Sequence, residues 1–134
     1  YVERVRERYD LNLTVMHPLV PPDDLWQTDS DECCAMRKVE PLARALHGKQ
    51  AWMSGLRRVE APSRASAQIA HLDIGRGIVK VNPLATWSDD DIDTYKRDHE
   101  LLEHPLVEPG EDRRAGRWSE SGKTECGLHG WPQP

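Results

Sequence analysis

The chain of 134 residues has three cysteines, and two of them are adjacent. Cys33-Cys34 rarely closes on itself, because the eight-membered disulfide ring is strained. The pair reads either as two small buried side chains or as two thiolates of one metal cluster. Arg37 and Lys38 follow at once, and cations beside thiolates lower thiol pKa and offset the charge of a thiolate-ligated cluster. Cys126 has a different setting, Lys123-Thr124-Glu125-Cys126-Gly127-Leu128-His129. A cysteine on a Gly-flanked tail beside Lys123 and His129 is poorly placed to pack and well placed to be an exposed thiolate nucleophile.

The arginines suit an anion. Arg114-Ala115-Gly116-Arg117-Trp118 puts two guanidinium groups around a small hinge, and arginine forks match sulfate or phosphate oxygens in bidentate geometry. Gly55-Leu56-Arg57-Arg58, with Ser63-Arg64 shortly after, repeats the idea behind a strand end, where α/β folds place ligands. Nine of the 18 basic residues lie in such short patches, while the net charge is −5. An acidic chain with local basic patches fits a small, highly charged anion, whereas a nucleic acid rewards a broad positive face. The same arginines also read as solvated residues on helix faces. Trp52 and Trp87 are expected in the core.

Mean hydropathy is −0.74, and no stretch approaches the roughly 20 apolar residues of a membrane span. No secretion signal is visible, and the cysteine usage suits a reducing cytoplasm. The absence of an initiator Met predicts a partial chain, organised as a single domain.

The elements that must position these residues follow from periodicity and punctuation. Val2, Val5 and Tyr9 predict helical turns over 2–9. The alternation of Leu11, Leu13 and Val15 predicts a strand, and the prolines of 17–32 predict a loop. Met36, Val39, Leu42, Ala43 and Leu46 mark a helix that tolerates Pro41 only near its first turn or as a kink, with Gly48 as its stop. Strands are expected at 51–54, 71–74 and 78–81. Ser88 with Asp91 resembles a capping box for a helix reaching about Asp98. From Pro105 onward no periodicity is visible, so 1–107 reads as the α/β portion and 108–134 as a loop and flexible C-terminal tail. Strands alternating with helices predict an α/β fold with a mainly parallel sheet and flanking helices.

Taken in order, these residues resemble one family. Cys33-Cys34-Ala35-Met36-Arg37-Lys38-Val39-Glu40-Pro41-Leu42 is similar to the cluster-side motif of the assimilatory adenylyl-sulfate (APS) reductases. Trp52-Met53-Ser54-Gly55-Leu56-Arg57-Arg58 with Pro62-Ser63-Arg64, Asn82-Pro83-Leu84-Ala85-Thr86-Trp87-Ser88 and His104-Pro105-Leu106 resemble three further landmarks. Arg114-x-Gly-Arg-Trp and Lys123-Thr-Glu-Cys-Gly-Leu-His129 are similar to the C-terminal signature. The resemblance implies an adenine nucleotide alpha hydrolase-like fold and reduction of adenylyl sulfate to sulfite and AMP, in sulfate assimilation and cysteine biosynthesis. It implies Cys126 as nucleophile through an S-sulfocysteine. Lys38, Gly55, Arg64, Arg114, Arg117 and His129 would bind substrate, and Cys33 and Cys34 would ligate a [4Fe–4S] cluster. Thioredoxin or glutaredoxin would be the reductant, with no nucleic-acid or membrane partner; a homo-oligomer is allowed.

Three departures accompany the match. Double-Cys members also carry a Cys-x-x-Cys between the His-Pro-Leu and Arg-x-Gly-Arg-Trp landmarks, and here Val107 runs straight into Glu108-Pro109-Gly110. The family's Ser-x-Gly-Gly-Lys-Asp-Ser phosphate loop is also missing, and the stretch from Pro18 to Asp31 is short. Two other readings therefore stay open. One is a reductase of phosphoadenylyl sulfate (PAPS) working without a cluster. The other is a non-enzymatic metal- or nucleotide-binding module using Cys33, Cys34 and a histidine such as His17 or His47.

Overall fold

Helix formation begins at once: α1 spans Val2–Tyr9 and ends at Asp10, whose left-handed φ of 48° suits its short polar side chain. The structure, a computed structural model, describes residues 1–105. Arg114, Arg117, Cys126 and His129, with the tail expected from 108 to 134, lie outside the described residues. The Tyr9 hydroxyl accepts the Leu102 N–H at 2.8 Å, which ties α1 to the chain beyond the last helix.

The alternating stretch Leu11–Val15 is irregular, contrary to the strand expected there. Leu11 and Val15 are 43% and 47% exposed. Alternation becomes a strand only where a neighbour supplies ladder bonds, and none pairs with it among the described residues. The expected loop over 17–32 in turn contains two short helices, α2 (Leu25–Thr28) and α3 (Ser30–Cys34). Asp29 starts the second, its carboxylate accepting the N–H groups of Asp31 and Glu32 at 3.1 and 2.9 Å.

From α3 the chain passes through a π-helical turn, Ala35–Val39, into α4, Glu40–Leu46. Pro41 accounts for the widened turn. It has no N–H to give the preceding turn, and its ring would clash with the carbonyl four residues back. Gly48 follows the end of α4 at φ +72°, a conformation that favours glycine.

The sheet has the order β1-β3-β2, with β1 Ala51–Met53, β2 Ala70–Asp73 and β3 Ile78–Val81. β1 and β3 run parallel, while β2 and β3 form an antiparallel hairpin. The α/β class holds, and the described sheet is mixed: the strand following the first is joined to its neighbour by a tight turn, which can only give an antiparallel pair. At that turn Asp73 accepts both the backbone N–H and the guanidinium of Arg76.

Register divides the sheet into two unlike faces. Trp52, Lys80 and His71 form one cross-strand row. There Lys80 is fully buried, its Nζ 4.7 Å from the centre of the Trp52 ring, within cation–π range. Trp52 and Trp87 are only half-buried. The opposite face holds Ala51, Met53, Ala70, Leu72, Val79 and Val81. It is apolar throughout, yet Met53 and Leu72 are 69% and 60% exposed. The tightly buried residues Leu56, Ala67, Asn82 and Ala85 gather instead beyond the strand ends.

The last described helix, α5, spans Asp89–Asp98. Ser88 and Asp91 close the expected capping box in both directions: the Asp91 N–H reaches the Ser88 hydroxyl at 3.1 Å, and the Ser88 N–H reaches the Asp91 carboxylate at 2.8 Å. No helix among the described residues is long and apolar enough to cross a membrane.

Candidate functional site at the strand ends

Where the parallel strands β1 and β3 finish, one buried side chain organises the connections. Asn82, fully buried, accepts the Ser54 hydroxyl at 2.8 Å and donates its amide to the Gln68 carbonyl at 2.8 Å. Its backbone N–H bonds the Ile69 carbonyl, and Ser54 N–H bonds the Val81 carbonyl. Two separate chain segments, at Ser54 and at Gln68–Ile69, are thereby fixed to the end of β3. Gly55 comes immediately after this clamp. A Cβ there would meet nothing within 4 Å, so the space over its backbone is open.

Two 3₁₀ turns follow, Arg58–Glu60 and Pro62–Arg64. Arg58 is anchored through its backbone N–H to Ala85 O and through Nε to Ala67 O, both 2.9 Å. It therefore acts as a brace inside the loop. Arg57 is 8% exposed and reaches Asp89, in the first turn of α5, at 2.8 Å. Arg64 is half-buried, with Nη1 2.6 Å from the Glu60 carboxylate. The two predicted substrate residues of this region, Gly55 and Arg64, thus sit on a single loop pinned to the sheet.

The thiols lie elsewhere in the chain. Cys33 and Cys34 are both buried free cysteines at the end of α3, and Lys38 is half-buried in the π-helical turn. Arg37, expected to support the thiolates, is engaged with the preceding loop: its Nη2 lies 2.7 Å from Pro21 O and 2.8 Å from Asp23. The Leu25 N–H, then Arg37, hold the Asp23 carboxyl below its ordinary value. Among the described residues no group of three or more His, Cys, Asp or Glu could hold a metal ion, so neither His17 nor His47 completes a site with the cysteine pair. A cavity of about 290 Å³ beside the π-helical turn is lined by Leu19, Val20, Ala35, Met36 and Glu40. It lacks the cations a sulfate ester requires.

The partnerships of Ser54, Asn82, Glu60 and Asp89 were not among the sequence expectations. Glu60 had a usable signal, standing four residues before Arg64, a spacing at which opposite charges meet on a helical turn. Asn82 stood out only as the first residue of a landmark motif, and its role was not legible there, because its partners at 54 and 68 are brought to it by the sheet.

Residues 1–123 match the model of the phosphoadenosine phosphosulfate reductase domain. The chain is 45% identical over 122 residues to an adenosine 5′-phosphosulfate reductase of Rhodococcus opacus, covering 79% of this chain and 49% of that protein. It is 41% identical over 149 residues to the protein of the same name from Mycobacterium tuberculosis, covering 96% of this chain and 59% of that one. A crystal structure of phosphoadenylyl-sulfate (PAPS) reductase from Candida auris, a phosphate complex, superposes with a TM-score of 0.67 at 25% identity, over 78% of this chain and 55% of that one. The chain spans about half the length of the curated relatives it matches.

Proposed function

The chain belongs to the phosphoadenosine phosphosulfate reductase domain family, and from that premise we propose that the protein reduces adenylyl sulfate to sulfite and AMP, with electrons from a thioredoxin- or glutaredoxin-like dithiol. The observation that carries the reading is the loop after β1, which holds Gly55 open and Arg64 anchored at the ends of the parallel strands. An anionic nucleotide ester bound there would find a backbone it can approach closely and a guanidinium already held in place.

The chemistry has two steps. The Cys126 thiolate attacks the sulfur of the ester, forming an S–S bond as the S–O bond to AMP breaks. A thiolate of the dithiol then attacks the Cys126 sulfur and sulfite leaves. The second thiol resolves the mixed disulfide, so the dithiol is oxidised by two electrons and Cys126 returns as a thiolate. Attack by one anion on another needs cations around the transferred oxygens. Lys38, Arg64, Arg114 and Arg117 are proposed for that role, with His129, three residues after the nucleophile in sequence.

The residues of this chain do not fit a [4Fe–4S] cluster. Such a cluster takes four thiolates, whereas the chain has three cysteines, one of them the proposed nucleophile. In the two steps above all electrons pass through sulfur. Iron and sulfide analysis of anaerobically purified protein checks this mismatch: stoichiometric iron in the wild-type protein that is lost in Cys33→Ser would reinstate the cluster.

Two features favour a PAPS substrate as second reading: the shortage of cluster ligands and the likeness to the Candida auris enzyme. Parallel assays with adenylyl sulfate and its 3′-phosphorylated analogue separate the two. The central test is mass spectrometry of protein incubated with adenylyl sulfate and no reductant. A sulfonate adduct on the Cys126 peptide, discharged as sulfite by a dithiol and absent in Cys126→Ser, is expected. An adduct on Cys33 or Cys34, or turnover by Cys126→Ser, would overturn the mechanism.

A further inference from the structure

We propose that Glu60 is the positioning residue for Arg64, holding its guanidinium at the strand ends in the orientation that meets the transferred sulfonate; this rests on the substrate-binding role of Arg64 given above. A single carboxylate oxygen, Glu60 Oε2, accepts the Arg57 backbone N–H at 3.1 Å and Arg64 Nη1 at 2.6 Å. The other oxygen lies 3.5 Å from Arg57 Nε, and Arg57 reaches Asp89 at 2.8 Å. Charges therefore alternate along Asp89, Arg57, Glu60 and Arg64, from the first turn of α5 to the proposed ligand site.

The backbone reinforces the arrangement. Pro62 opens the second 3₁₀ turn with a fixed φ, and the Arg64 N–H bonds Ala61 O at 2.9 Å. With side-chain exposures of 19% for Arg64 and 29% for Glu60, the pair is partly withdrawn from water. It is therefore screened less than an ordinary surface pair. Arginine has a rotamer-rich side chain, and ordering it before the ligand arrives removes that ordering from the cost of binding. Anchoring one of its five N–H donors fixes where the planar fork lies.

Charge counting and positioning predict opposite signs, which makes the proposal testable. If Glu60 acted only as a nearby negative charge, its removal would tighten binding of an anion. If it orients Arg64, removal weakens binding. Glu60→Ala, Glu60→Gln, Arg64→Ala and Glu60→Ala/Arg64→Ala are compared in the full-length protein, by calorimetric titration with adenylyl sulfate in a Cys126→Ser background that cannot form the adduct, and by steady-state kinetics with Cys126 intact. Glu60→Ala is expected to raise Kd and KM about tenfold while kcat falls less than about threefold, and the double variant is expected to be no worse than Arg64→Ala alone. Glu60→Gln keeps a carbonyl acceptor for Arg64 and is expected to restore most of the loss. Tighter binding by Glu60→Ala, or additive losses in the double variant, would overturn the proposal. If Glu60→Ala does not fold, Glu60→Gln and Glu60→Gln/Arg64→Ala carry the comparison, with a small loss that vanishes in the Arg64→Ala background expected and an additive one overturning it. Unchanged binding in Arg64→Ala would overturn the underlying reading as well. Impaired Arg64→Ala with unaffected Glu60→Ala and Glu60→Gln would overturn positioning alone.

Discussion

Asn82 is the single residue on which the strand-end loop depends. Both ends of its fully buried amide are used, toward Ser54 and Gln68. Asn82→Ala would leave the Ser54 hydroxyl and the Gln68 carbonyl short of a partner, so a loss of about 1–3 kcal/mol is expected in denaturant unfolding. Asn82→Asp should lose more, since it buries a charge and faces the Gln68 carbonyl without a donor; equal stability of the three proteins would refute the clamp. Gly55 behaves differently. Space over it is open and its backbone is unstrained, so Gly55→Ala should change stability by no more than about 0.5 kcal/mol. In a Cys126→Ser background, adenylyl sulfate binding should nevertheless weaken measurably in calorimetry, because the added methyl would occupy the approach proposed for the ligand. At this scale residue type was legible and partnership was not. Arg64 suited an anion by its chemistry but gave no sign of its pairing with Glu60, while Arg37 looked like a cation for the thiols and is paired with Asp23 instead.

Element boundaries were read best where local chemistry dictates them. Ser88 and Asp91 satisfy each other within one turn, so the start of α5 needs nothing from the rest of the fold. The Ser88 hydroxyl, then its backbone N–H, hold the Asp91 carboxyl below its ordinary value of 3.8. A lowered folded-state pKa means that the stabilisation is fully present above that ordinary value and is lost as pH falls through the lowered one. Ser88→Ala should destabilise by about 1 kcal/mol near neutral pH. The difference from the parent should hold from pH 7 to 5 and shrink once pH drops below about 4; unfolding curves across that range check it, and a gap that widens in acid would contradict the cap. Pro41 was expected near a first turn or at a kink, and it stands in the first turn of α4, while the π-helical turn before it was not anticipated. The strand expected at Leu11–Val15 failed because alternation reports an exposed and a covered side, whereas a strand also requires a hydrogen-bonding neighbour.

For the whole molecule, the two sheet faces are the decisive feature. Ala51, Met53, Ala70, Leu72, Val79 and Val81 form an apolar face with Met53 69% and Leu72 60% exposed. Contiguous apolar surface of this kind binds hydrophobic dyes and promotes association. The chain as given should therefore enhance anilinonaphthalene sulfonate fluorescence and show concentration-dependent association in sedimentation. Met53→Lys with Leu72→Lys should reduce both while the circular dichroism spectrum is retained; an unchanged dye signal would show that the face is covered. The sequence by itself determined the family, the α/β class, the three strand positions, the capped helix and the residue types able to bind a sulfate ester, because each follows from local spacing, side-chain chemistry or an ordered set of motifs. Only the tertiary structure decided that β2 pairs antiparallel, that Asn82 joins segments far apart in sequence, and that Glu60 stands between Arg57 and Arg64. Such pairings depend on which strand ends meet in space, and periodicity along a single chain does not encode that.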